Sequence, residues 1–112
     1  RDMVIAICNK DISKISKTIN KAEKDGKEAL RFYEGVISFF RNGLLVRAKE
    51  ESLIENISKE NKEEIIKCAG EFPLIINSQN LLNLLTHYDL VKSAGKNSWT
   101  AIYAVLINLI KE

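Results

Sequence analysis

The groups in this 112-residue chain that could do chemistry are few and scattered. One histidine, His87, sits beside Tyr88 and Asp89. Two cysteines, Cys8 and Cys68, lie about sixty positions apart, and adjacent carboxylates occur at Glu50-Glu51 and Glu63-Glu64. Catalysis needs complementary groups that converge on one reacting atom. His87 and Asp89 are two apart on what reads as a helix, where such neighbours point in different directions, so they form no local dyad. A Cys68–His87 pair across helices would supply a nucleophile and a base, but no spacing specifies it. The paired glutamates sit among lysines, the composition of a solvated helix face. Metal patterns such as CxxC and HExxH are absent, and so are the phosphate cradles GxxxxGK and GxGxxG. The inventory reads as that of a protein that is not an enzyme, and it calls for no cofactor and no metal.

The cations are better organised. Lys10, Lys14, Lys17, Lys21 and Lys24 recur at steps of four and three, with Lys27 and Arg31 shortly after. On a helix such spacing makes an elongated positive strip, which attracts nucleic-acid phosphates without reading sequence. Arg41 and Arg47, either side of Asn42-Gly43, extend it, and arginine forks suit phosphate. Five acidic residues among the first 31 reduce the local excess to three positive charges. Contact with a nucleic-acid backbone and plain solvation are therefore the two readings of the strip.

The spacing of apolar residues predicts the helices that carry these groups. Cys8, Ile12, Ile15, Ile19 and Ala22 fall on one stripe of a first helix, opposite the lysines, that Asp25-Gly26 breaks. A second helix over 27–41 carries Leu30, Tyr33, Val36, Ile37 and Phe40 inward, and Asn42-Gly43 stops it. A third over 44–57 buries Leu45, Ala48, Leu53, Ile54 and Ile57. Asn61 and Glu64 fit a capping box for the fourth, with Ser58 as the alternative cap, and Gly70 and Pro73 end or bend it. "FPLIIN" is an extended connector or a helix begun by its proline. Ser78 caps a fifth helix with Leu81, Leu82, Leu85, Tyr88 and Val91 on its apolar face, closed by Gly95. Asn97 or Ser98 caps the last. The expectation is one all-α domain over 1–112: a compact bundle of five or six short helices with a central, apolar C-terminal helix.

That last helix contains "WTAIYAVLINLI", 99–110, in a chain where 29% of residues are charged. Twelve residues rise about 18 Å, and a membrane span needs about 20 residues, so no membrane is implied. From Phe72 to Ile110 the charged residues are Asp89, Lys92 and Lys96, whereas 51–71 holds six acidic and three basic ones. The C-terminal third is thus the apolar heart, and part of it is free to serve a protein partner or self-association. Trp99, Tyr103, Val105 and Leu109 are the candidate contact residues. Two cysteines make no disulfide framework, "MVIAIC" is too short for a secretion signal, and the thiols read as reduced in a cytoplasmic setting. A chain that opens at Arg1 rather than Met reads as trimmed from a longer one.

Two segments are alike: "RFYEGVISFFRNGLLVRA" and "KCAGEFPLIINSQNLLNLL" each run from an apolar stretch through a polar step with Asn to Leu-Leu. They suggest two helix–turn–helix units that pack in comparable ways. Both also resemble the small helical subunit of type III CRISPR effector complexes, in which a proline-led apolar run precedes Asn-Gly-Leu and another apolar helix. "FRNGLL" keeps Asn42-Gly43-Leu44 but has Val36 where the proline would stand; "FPLIINSQNLL" keeps Pro73 but has Gln79-Asn80 at the Asn-Gly step. The resemblance covers about 20 residues each time. It implies an all-helical, non-catalytic subunit that packs along an RNA-guided complex and touches nucleic-acid backbone with basic residues. The leading expectation is a non-enzymatic interaction or assembly module, with a backbone-binding subunit as the alternative and a Cys- or His-dependent enzyme as the remote one.

Overall fold

A computed structural model describes residues 2–111. Seven α-helices follow one another: α1 (Asp2–Cys8), α2 (Ile12–Lys24), α3 (Ala29–Arg47), α4 (Lys59–Glu71), α5 (Ser78–Thr86), α6 (Tyr88–Ser93) and α7 (Ser98–Ile110). Single 3-10 turns occupy Glu51–Leu53 and Gly95–Asn97, and no strand occurs among the described residues. The all-α bundle is as expected; several boundaries are not.

The predicted first helix is two. After Cys8 the chain turns through Lys10, whose φ is 55°. Asp11 N–H donates to the Ala6 carbonyl at 2.9 Å and Lys10 N–H to that of Ile7 at 3.0 Å. This pairing closes a helix C-terminus and normally has glycine in the left-handed position. Asp11 then caps α2, its carboxylate accepting from Lys14 N–H at 3.0 Å. Cys8 and Ile12 therefore do not share a stripe, and Ile12 is half exposed. The same closure recurs after α2, with Gly26 at φ 75°, and after α3, with Lys49 at φ 62°.

Asn42-Gly43 does not stop α3, which runs unbroken for 19 residues, about 28 Å. Gly43 is buried there because the chain after α4 lies directly across the helix: a Cβ at this position would collide with the Ile76 side chain. The predicted third helix is consequently absent. Its first four residues belong to α3, Lys49 turns the chain away, and Leu53 is exposed while Ile54 is buried. "RFYEGVISFFRNGLLVRA" is thus a single helix and "KCAGEFPLIINSQNLLNLL" a helix–turn–helix, so the two lookalike segments do not share an architecture.

Ser58, not Asn61, caps α4, its Oγ accepting from Asn61 N–H at 3.1 Å. The "FPLIIN" stretch is neither strand nor helix but a turn that drives Ile75 and Ile76 into the core. Three side chains hold it. Asn77 donates to the Leu74 carbonyl and caps α5 through Asn80 N–H; Asn80 donates to the Ile75 carbonyl at 2.7 Å; Arg47 donates to the carbonyl of Ile76. The predicted fifth helix divides at His87 into α5 and α6.

The core sits where α3 and α7 meet. α3 packs on α1, α4, α5, α6 and α7, and α7 on α2, α3, α5 and α6. Tyr33, Phe40, Ile7, Ile15, Ile76, Leu84, Val91, Ile102 and Leu106 are fully buried. Tyr33 satisfies its hydroxyl by donating to the Leu84 carbonyl, and burial pushes its ionisation up to about 12. A radius of gyration of 13.5 Å is that of a folded domain of this length.

Candidate functional site

The reactive groups of the sequence are not assembled around His87. Its ring Nδ1 faces the Asn83 carbonyl at 2.8 Å, at the joint between α5 and α6. Cys68 donates instead to Glu64 Oε2 at 3.5 Å, one turn back on α4, so no hydrogen bond joins it to His87. Burial pushes the Cys68 thiol up to about 11 and the Cys8 thiol up to about 12, the opposite of what activates a nucleophilic cysteine. Among the described residues no three His, Cys, Asp or Glu side chains converge as metal ligands. The cleft between α3 and α4, lined by Ser38, Phe39, Asn42, Asn61 and Glu64, offers about 180 Å³, below the several hundred Å³ of an ordinary small-molecule site.

The basic strip is broken up by the turn at Lys10. Lys14, Lys17, Lys21 and Lys24 are exposed along α2. Lys14, Lys17 and Lys21 line one shallow depression, which continues past Lys21 to Lys27. Asp2, Asp11 and Asp25 line it too, and Lys21 is paired with Asp25 at 2.9 Å. Lys10 faces a different cleft, next to Cys8 and Glu71. Arg31 is exposed on α3. Arg41 and Arg47 do not flank a turn, since α3 runs through both. Arg41 donates to Asn42 Oδ1 at 3.1 Å, and Arg47 is engaged with the carbonyls of the 73–76 turn. Arg47 is exposed at the end of α3, and its Nη1 bonds tie that end to the 73–76 turn.

The apolar candidates on α7 divide as sharply. Val105 and Leu109 are core side chains, 4% and 6% exposed, and cannot meet a partner. The outward positions of α7 are Thr100, Tyr103, Ala104 and Asn108. Trp99 is half-buried, edge-on to Phe32 with ring centroids 5.2 Å apart. Tyr103 accepts from Ser16 at 3.0 Å, and with Trp99 it lines a groove between α2 and α7.

Large apolar side chains do reach solvent on α5. Leu82 is 58% and Leu85 48% exposed, three apart and so on one face with exposed Ser78, Gln79 and Thr86. Leu74, in the preceding turn, is 87% exposed and Leu90, on α6, 52%. From Phe72 to Tyr88 the chain has no Asp, Glu, Lys or Arg. Leu84, not Leu82 or Leu85, is the buried residue of α5. Of the expected face Leu81, Tyr88 and Val91 do pack inward, but Leu82 and Leu85 do not and Leu84 was missed, because four leucines in close succession fit more than one stripe. The signal that would have found the exposed leucines is the lack of charge from Phe72 to Tyr88, a span that includes a helix too short to bury itself on all sides.

No helix among the described residues is long and apolar enough to cross a membrane. This chain matches no protein-family model, no curated protein and no solved structure.

Proposed function

We propose that the protein is a non-enzymatic assembly module that pairs with a second copy of itself through the outer face of α5. The observation that carries this reading is the exposure of Leu82 and Leu85 on a helix without a single charge, between Leu74 and Leu90, which are also exposed. An apolar surface of this kind marks a contact site. Charge selects the occupant. In a two-fold pair each copy meets the same surface of the other, and a face without charge brings no like-charge repulsion. The lysine face of α2 would repel its own copy. The nine-residue α5 is about 14 Å long, a small footprint against a standard interface of ~1,600 Å², so pairing is reversible and concentration-dependent. Reduced thiols at Cys8 and Cys68 suit a cytoplasmic setting.

Sedimentation equilibrium tests it. The wild-type chain should show a weight-average mass that rises with concentration, and Leu82→Lys together with Leu85→Lys should hold it at the monomer value. A wild-type chain that stays strictly monomeric at every concentration rejects the reading.

A second reading, contact with a nucleic-acid backbone, is favoured by the clustering of Lys14, Lys17, Lys21 and Lys27 along one depression. The resemblance of "FRNGLL" and "FPLIINSQNLL" to the small subunit of type III CRISPR effector complexes agrees with it. Four phosphate contacts on a single strand imply a salt slope near −3, roughly a fiftyfold loss of affinity between about 50 and 200 mM salt. Fluorescence anisotropy with labelled single-stranded RNA reads this directly. Binding insensitive to Lys14→Glu, Lys17→Glu and Lys21→Glu together would eliminate the face.

A further inference from the structure

α2 turns its lysines and its one glutamate to different sides. Lys14, Lys17 and Lys21 line the depression already described. Glu23 lines the groove between α2 and α7, where it is the one charged side chain among the described residues. Trp99 and Tyr103, one helical turn apart, line that groove from α7, and buried Ile19 lines it from α2. Both rings are held from behind. Trp99 is edge-on to Phe32 of α3 at 5.2 Å, and the Tyr103 hydroxyl is hydrogen-bonded to Ser16 of α2 at 3.0 Å. Each ring still reaches solvent, Tyr103 with 36% exposure. The Glu23 carboxylate is exposed and has no hydrogen bond or ion pair among the described residues.

We propose that this groove binds a quaternary ammonium head group, the trimethylammonium of choline or of a trimethylated lysine side chain. The negative π-faces of indole and phenol attract a cation that lies within about 6 Å of the ring centroid. Glu23 supplies the counter-charge, with Asn20 and Thr100 on the polar rim. An anion would meet Glu23 and find no cation lining the groove. The ammonium of plain lysine is a compact, strongly hydrated charge that gives up its water reluctantly. Methyl groups spread that charge and weaken its hydration, and their carbons pack on the two rings and on Ile19. A volume of about 200 Å³ holds one head group and excludes a larger ligand. Contacts of this kind on an open surface are individually weak, so the dissociation constant should be roughly millimolar. The site is separate from the α5 face and does not depend on self-association.

Trp99 is the chain's only tryptophan, so its fluorescence reports on the groove directly. The titrants are tetramethylammonium chloride and choline chloride, against sodium chloride at equal ionic strength. The uncharged alcohol in which carbon replaces the choline nitrogen controls for shape. The expected result is a saturable change in Trp99 emission with both quaternary cations, and only linear drift with sodium chloride and the alcohol. Glu23→Gln should weaken binding roughly two- to fivefold. Tyr103→Leu should weaken it roughly three- to tenfold, with circular dichroism unchanged. Tyr103→Phe keeps the ring and loses only the bond to Ser16, so it should bind within roughly twofold of wild type; a loss as large as that of Tyr103→Leu would overturn the role of the ring. A short uncharged peptide with one trimethyllysine separates the two sources. Tighter binding than choline assigns the groove to a side chain, and equal or weaker binding assigns it to the free head group. A response that does not saturate, an equal response to the uncharged alcohol, or affinities unchanged by both Glu23→Gln and Tyr103→Leu would overturn the site.

Discussion

α7 and α5 are both helices without a charged residue, and the fold uses them in opposite ways. α7 has thirteen residues, packs on four other helices and buries Ile102, Val105, Leu106, Leu109 and Ile110, keeping Thr100, Ala104 and Asn108 for its outer face. α5 has nine, buries only Leu84 fully and turns Leu82 and Leu85 to solvent. The longer and more apolar stretch is the one the fold covers, with neighbours on several sides. Absence of charge locates apolar helices; only packing separates one that is covered from one that turns leucines to solvent.

The comparison predicts unequal costs for equal truncations. Leu106→Ala removes a fully buried side chain where α3 and α7 meet and should cost about 2–5 kcal/mol of unfolding free energy. Leu85→Ala removes the same atoms from a half-exposed site and should stay within about 0.5 kcal/mol. Denaturant titration of both variants reads the difference, and similar losses would dissolve the distinction between the two helices. Next in size is Gly43→Ala. Its Cβ has no room against Ile76, so it should lose about 1–3 kcal/mol although alanine is the better helix former.

The pH dependence has a definite sign. Tyr33, Cys8 and Cys68 bind their protons more tightly folded, at about 12, 12 and 11, than at their ordinary values of 10.0, 9.0 and 9.0. The folded state therefore keeps protons that the unfolded chain gives up. Their contribution to stability is complete below about pH 9 and declines as pH rises through 9 to 12. Ellipticity-monitored unfolding across that range should show the decline, and Cys8→Ala with Cys68→Ala should soften it. One small expected effect is a gain. Lys10→Gly relieves a left-handed lysine and should stabilise by about 0.5–1 kcal/mol.

That lysine also explains why part of the fold was illegible. Three helices close in the same way, after α1, α2 and α3, and only the closure with Gly26 announced itself in sequence. With Lys10 and Lys49 in the left-handed position, α1 merged with α2 on paper, and α3 was cut at the glycine that in fact lies inside it. Gly43 is there for the close approach of Ile76, a tertiary reason no local pattern carries. The all-helical class, the end of α2 at Asp25-Gly26, the α4 cap at Ser58 as an alternative, and the span of α7 were readable because their periodicity or capping chemistry is local. The engagement of Arg47 with the 73–76 turn joins distant segments, so spacing said nothing of it.

The most direct test of the α5 assignment is a dilution series of amide NMR spectra, from the highest reachable concentration downward. The expected result is concentration-dependent shifts for Leu74, Leu82, Leu85 and Leu90 and their neighbours, with α2 and the outer face of α7 unchanged. Shifts confined to Trp99 and Tyr103, or spectra that do not change with concentration, would contradict it.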